Sequence, residues 1–191
     1  MSKHIAIISA ALGALAVTAA TIVSVSAQGK MKSEMSGEKT VMVGGAAMFP
    51  SRNIIQNAVN SKDHTTLVAA VKAAGLVSTL EGKGPFTVFA PTNSAFGKLP
   101  AGTVDNLVKP ENKPALTRIL TYHVVPGRLE ASSLSDGKKL KTVEGEELTV
   151  KRSGDKVMII DAKGDSAAIT IPNVNQSNGV IHVVDTVLMP S

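Results

Sequence analysis

The hydrophobic periodicity of the chain changes once, at Pro126-Gly127, and that change limits the folds open to it. Before it, apolar residues recur at helical spacing. Ile54, Ile55, Ala58 and Val59 share one face, Leu67, Ala70, Val71 and Ala74 another, and Leu116, Ile119 and Leu120 a third. After it, KTVEGEELTVKR, KVMIID, AAITIPNV and GVIHVVDTVLM alternate or run as short apolar stretches between Gly, Asp and Asn turns, the pattern of strands. Helices followed by strands, without alternating strand–helix units, argue for an α+β domain and against a doubly wound parallel sheet. FTVFA, Phe86 to Ala90, is a short buried strand within the helical half, ended by Pro91. No segment repeats.

Local signals place the boundaries. Ser51 is the expected N-cap of the first helix, Asp63 or Thr65 begins the second, and Gly75 closes it. Asn93 is expected to cap the helix SAFGKL and Thr103 the turn after it, while Asn112 and Pro114 start the helix that runs into Tyr122.

The first 27 residues are a different polymer. Lys3 gives a positive start, Ile5 to Ala20 is nearly all apolar, and Val25-Ser26-Ala27 offers the small residues of a cleavage site. Ile5 to Ala27 carries no charge and is long enough to span a bilayer, but its end is rich in Ala, Ser and Thr, which suits a peptidase better than an anchor. The expected organisation is a signal peptide over 1–27, a polar flexible tail over 28–40 and one domain over 41–191. That places the mature protein in the periplasm or outside the cell, without a transmembrane span. The 191 residues are 43% apolar, enough for a real core, and contain no cysteine, so packing alone must stabilise the domain.

Three segments carry a resemblance. They are PFTVFAPTNSAFGKLP at 85–100, ILTYHVVPG at 119–127 and SNGVIHVVDTVLMP at 177–190. In order, spacing and wording they resemble the fasciclin domain, with its TVFAPT-type segment, its NGxIHxID-type final strand and a Tyr-His pair between. The resemblance spans roughly 41 to 190 and is closest to the small, single-domain, exported bacterial members. It implies a wedge of two β-sheets with an N-terminal helical layer, and a role in adhesion or protein–protein contact. Some members are associated with carotenoids or other apolar ligands, which keeps an apolar-ligand carrier as the alternative.

The motif residues also have physical readings. In TVFAPTN, Thr92 and Asn93 can accept from free N–H groups at a helix start, and Phe86, Phe89 and Phe96 would anchor the core. Asn178-Gly179 is expected to form a tight turn in which both residues tolerate positive φ. His182, inside an apolar strand, reads as a histidine satisfied by a hydrogen bond. Tyr122, the only tyrosine, and His123 lie among Ile119, Leu120, Val124 and Val125. Those neighbours favour a buried brace. The resemblance implies the other option, a recognition epitope, because the matching segment of larger animal relatives is associated with integrin-type adhesion.

Catalytic signals are missing. There is no GxSxG elbow and no HExxH, and His64, His123 and His182 have no short-range metal-ligand spacing. The methionines at 31, 35, 42 and 48 are irregularly spaced for a soft metal site. EGKGP neither follows a strand nor opens a helix, as a phosphate loop must. The sequence therefore implies a non-enzyme without cofactor or metal. Asn175-Gln176-Ser177 has the form of a glycosylation acceptor and marks a surface loop. The net charge of +5 is mildly basic and spread along the chain, with small clusters at Lys138, Lys139 and Lys141 and at Lys151 and Arg152 that read as a solvated basic face, and it lacks the aromatic platforms that nucleic acid needs. Expected partners are an extracytoplasmic protein or a surface glycan.

Overall fold

The computed structural model describes residues 39–191. The leader expected at 1–27 and almost all of the tail expected at 28–40 lie outside the described residues. Gly44 and Gly45 both take positive φ, 57° and 76°, so the chain reverses within two residues. Val41–Val43 (β1) thereby pairs antiparallel with Ala46–Met48 (β2). This hairpin was not expected, because its strands are too short to show a period.

Six short helices follow: α1 (Ile54–Ala58), α2 (Thr65–Ala74), α3 (Val77–Glu81), α4 (Asn93–Gly97), α5 (Thr103–Leu107) and α6 (Lys113–Tyr122). Gly75 ends α2 in the left-handed conformation at φ 75°, as its sequence position predicts. Three expected caps need correction. Asn53, not Ser51, caps α1: its side chain accepts from Gln56 N at 2.8 Å while the Gln56 side chain accepts from Asn53 N at 3.0 Å. Only a cap at Asn53 has a glutamine three residues on to return the bond. Thr92 caps α4, its hydroxyl accepting from Ala95 N at 3.3 Å, which leaves Asn93 free to bind elsewhere. Gly102, at φ 80°, precedes α5 with no side-chain cap, so Thr103 is the first helical residue.

The main sheet has seven strands in the order β4-β3-β9-β8-β7-β6-β5. They are β3 (Phe86–Pro91), β4 (Val124–Pro126), β5 (Lys139–Lys141), β6 (Glu147–Ser153), β7 (Lys156–Ile160), β8 (Ser166–Gln176) and β9 (Gly179–Val184). β3 and β9 are parallel, Phe86 opposite Gly179 and Pro91 opposite Val184; every other pair is antiparallel. β8 slips register between Ile169 and Ile171 and again between Ile171 and Val174, and Asn173 sits at φ 56°. Such irregularities bend a strand. The expected two sheets are thus β4-β3-β9 and β7-β6-β5 joined through one bent strand. Val143 N donates to Val124 O at 2.8 Å, which brings the far edges together and gives a barrel-like closure.

Two cores result. One lies between the helices and the sheet and includes Ile54, Val71, Leu116, Val88, Ile181 and Val183. The other lies inside the strands and includes Phe89, Tyr122, Leu148, Ile159, Val184 and Leu188. Both faces of β9 are covered and all six of its residues are buried, which explains why it is apolar on both sides apart from His182.

Asn178-Gly179 works differently from expectation. The turn is Ser177-Asn178, Gly179 opens β9, and neither Asn178 nor Gly179 has positive φ. Glycine is required at 179 because a Cβ there would sit 2.1 Å from Phe86 O, across the parallel pair.

Candidate functional site

Tyr122 ends α6 and His123 is its C-cap residue, just before β4. Both are buried, at 0% and 2% exposure. The Tyr122 hydroxyl donates to Glu147 O at 3.3 Å and accepts from Ala162 N at 2.9 Å. Nδ1–H of His123 donates to Ile119 O at 2.8 Å, and Nε2 accepts from Leu188 N at 3.0 Å. These partners assign the neutral Nδ1–H tautomer. Burial pushes the imidazole down to about 4, against smaller upward pulls from the Ile119 carbonyl and Asp161. Burial likewise raises the Tyr122 phenol.

Asp161 completes the brace. Its Oδ1 accepts from Lys163 N and Asp165 N at 3.0 and 2.9 Å, and its Oδ2 accepts from Met189 N at 2.9 Å. His123 and Asp161 therefore hold consecutive amides of the C-terminal segment. The DAKGD turn thus caps itself, its first carboxylate accepting from the amides two and four residues on.

His182 is fully buried in β9 and stacked on Phe89 with ring centroids 5.7 Å apart. Its Nε2–H donates to Leu129 O at 2.7 Å and its Nδ1 accepts from Asn173 N at 3.3 Å. It thereby supports the positive-φ residue of the β8 bend. Burial lowers its pKa, with a smaller upward pull from the Leu129 carbonyl. Asp185 does not partner His182; its Oδ1 accepts from Ala168 N instead.

The amides tie helices to strands. Asn178 Oδ1 accepts from Ile54 N at the start of α1, and its Nδ2 donates to Leu80 O and Gly82 O at the end of α3. Asn93 Oδ1 accepts from Thr66 N, so it serves the start of α2 and not its own helix; its Nδ2 donates to Lys62 O. Two further buried members, Asn57 and Gln176, went unread in the sequence. Asn57 closes a two-way bond with the Phe49 backbone and donates to Gln176 Oε1. Asn57 lies on the apolar side of α1, which was the available signal. Asn175, in the acceptor-like triplet, accepts from Arg128 Nη1.

Ser61 and His64 form a Ser–His pair, Oγ to Nδ1 at 2.9 Å. Both are buried, at 2% and 3% exposure, so no substrate reaches the hydroxyl. His64 Nε2 makes no hydrogen bond, and burial lowers the imidazole pKa more than the nearby Ala90 carbonyl raises it. A cavity of about 80 Å³ lies here between the helices and β3/β9, with Leu67, Val71, Leu80, Val88 and Val183 among its walls. The three histidines do not converge, and among the described residues no cluster of three or more His, Asp or Glu is placed to hold a metal. No helix among those residues is long and apolar enough to cross a membrane.

Known proteins match this arrangement. The fasciclin domain model matches residues 62–190. Protein sll1483 of Synechocystis sp. is 48% identical over 153 residues, covering 80% of this chain and 82% of its own. Cell surface glycolipoprotein MPB83 of Mycobacterium bovis is 39% identical over 153 residues, covering 78% of this chain and 64% of that protein. Among solved structures, a FAS1 domain pair from the insect cell adhesion molecule fasciclin I superposes with a TM-score of 0.66 at 19% identity, over 74% of this chain and 52% of that one. With its three motif segments placed at the strand, helix end and central strand of that fold, the chain belongs to the fasciclin domain family.

Proposed function

We propose that the protein is an exported, non-catalytic fasciclin domain that makes adhesive or protein–protein contacts at the cell surface, in the periplasm or outside the cell. One observation carries this reading. Tyr122, His123 and His182, the side chains with the most chemistry to offer, are almost wholly buried and spend their polar atoms on backbone groups. Groups so placed act as braces and meet neither substrate nor partner, so contact falls to the outer surface. Likeness to a cell surface glycolipoprotein supports the location. Beads coated with mature protein should retain cells of the producing strain, while albumin-coated beads should not. Reproducible turnover of any substrate by metal-free protein, lost in a folded His123→Ala variant, would overturn the reading.

The apolar cavity favours a second reading, a carrier of a small apolar molecule. At about 80 Å³ it is several-fold smaller than usual ligand sites of about 300–1,000 Å³. A carotenoid or lipid would have to part the helices from the sheet. Protein purified from its own host that carries a chromophore or extractable lipid by mass spectrometry supports the carrier; colourless, lipid-free protein supports the contact domain.

A further inference from the structure

The outer face of the β5–β7 half of the sheet carries a line of lysines. The register sets Lys139 opposite Thr149, Lys141 opposite Glu147, Lys151 opposite Met158 and Lys156 opposite Ser153. Their alternating neighbours Leu140, Leu148, Val150, Val157 and Ile159 are buried. All four lysines therefore stand on the solvent side. In the order Lys141, Lys139, Lys151, Lys156 they advance two residues at a time, about 6.6 Å per step, while crossing from β5 to β7, so the line spans about 20 Å.

The lysines on this face outnumber the carboxylates beside them, Glu147 and Asp155. Lys139 lies 3.2 Å from Glu147, both well exposed, and such a pair contributes little. Among the described residues Lys141, Lys151 and Lys156 make no ion pair, and Asp155 stands nearby in the β6–β7 turn. Between the lysines lie Thr149, Ser153 and the half-buried Met158 and Ile160.

We propose that this face docks an acidic polysaccharide, a sugar chain bearing carboxylates or sulfates laid along the lysine diagonal. The proposal rests on the surface-contact reading above and names its partner. Charge complementarity selects a polyanion. A line favours an extended chain over a compact ligand. Lysine ammonium groups are point charges without the fork that grips one phosphate bidentately, which suits anions at loosely fixed spacing. The face has no aromatic residue for stacking nucleobases. Of the exposed large apolar side chains, Met42 and Val59 belong to other elements and only Val143 follows Lys141 beyond the end of β5, so the face offers a lipid surface no apolar cluster to anchor in. Hydroxyls between the cations complement sugar hydroxyls.

The test uses the mature protein with immobilised polygalacturonate, dextran sulfate, neutral dextran and vesicles containing anionic lipid, at low and high salt. Expected are binding to one or both acidic polymers, none to neutral dextran, and loss at high salt. Lys141→Glu, Lys151→Glu and Lys156→Glu together should weaken binding about tenfold or more, since each exposed charge contributes a fraction of that factor. The matched triple Lys72→Glu, Lys83→Glu and Lys109→Glu, at exposed positions on the helical side, should bind within about threefold of wild type. Circular dichroism confirms that both fold. Equal loss in both triples, binding to vesicles alone, or no polymer binding would each overturn the proposal. Bead retention of cells that persists in the first triple would overturn it while leaving the surface-contact reading intact.

Discussion

His123 stays neutral because both ring nitrogens are committed: a second proton would have to face the Leu188 N–H. Its pKa falls from 6.5 in the unfolded chain to about 4 in the fold, so the unfolded state binds the extra proton between those values. Stability is then full above pH 6.5 and declines as the pH falls toward 4, by about 3 kcal/mol from this residue. His64 and His182 shift in the same direction and add to the loss. Urea unfolding between pH 7 and pH 4 should show this decline, and a flat profile would remove the argument. His123→Leu should cost about 2–4 kcal/mol at pH 7, because the Leu188 N–H loses its buried acceptor, and should flatten the pH dependence. Tyr122→Phe removes the acceptor of Ala162 N–H at constant ring packing, so it should cost about 1–2 kcal/mol. Burial of these rings was legible from their apolar neighbours in sequence. Their partners were not, because Leu188 lies 65 positions from His123 and Ala162 lies 40 from Tyr122.

At the scale of elements, β3 and β9 set the tightest requirement. Gly179→Ala would drive its methyl group into the Phe86 carbonyl, a backbone atom that cannot rotate away. The expected cost is about 3 kcal/mol or more, or failure to fold. Gly97→Ala is the contrast: it sits at the end of α4 with open space around it and no positive φ, and should be neutral or stabilising by up to about 1 kcal/mol. Thermal melts of the two variants decide the matter. Helix α2 and strands β6, β7 and β9 were readable because a sustained period reports a sustained buried face. The β1–β2 hairpin was hidden, although Gly44-Gly45 is a two-residue turn signal; three-residue strands leave the pattern nothing to repeat. The caps of α1 and α4 were read with the right chemistry and misplaced by a residue or two, whereas α5 has no side-chain cap at all. Asn93 shows why: its oxygen serves a helix that begins 28 positions earlier.

For the whole molecule, the segment after β9 is structural. Val187 and Leu188 are buried at 4% and 1% exposure, and the amides of Leu188 and Met189 are held by His123 and Asp161. Truncation after Asp185 should therefore lower the melting temperature by several degrees or abolish cooperative unfolding. The mature protein should begin at Gln28, a mass readily checked on material from its own host. The fold class was legible from the single change of period, but the bend that turns seven strands into a nearly closed wedge was not. That bend depends on Asn173, whose positive φ is supported by a histidine from another strand. Placing β9 between β3 and β8 has a further effect. Residues 86–91 remain without a neighbour on that edge until residues 179–184 have been synthesised. A ribosome must therefore release nearly the entire polypeptide before the centre can close. A protein built in this order keeps the middle of its sheet open until the last of its strands has been made.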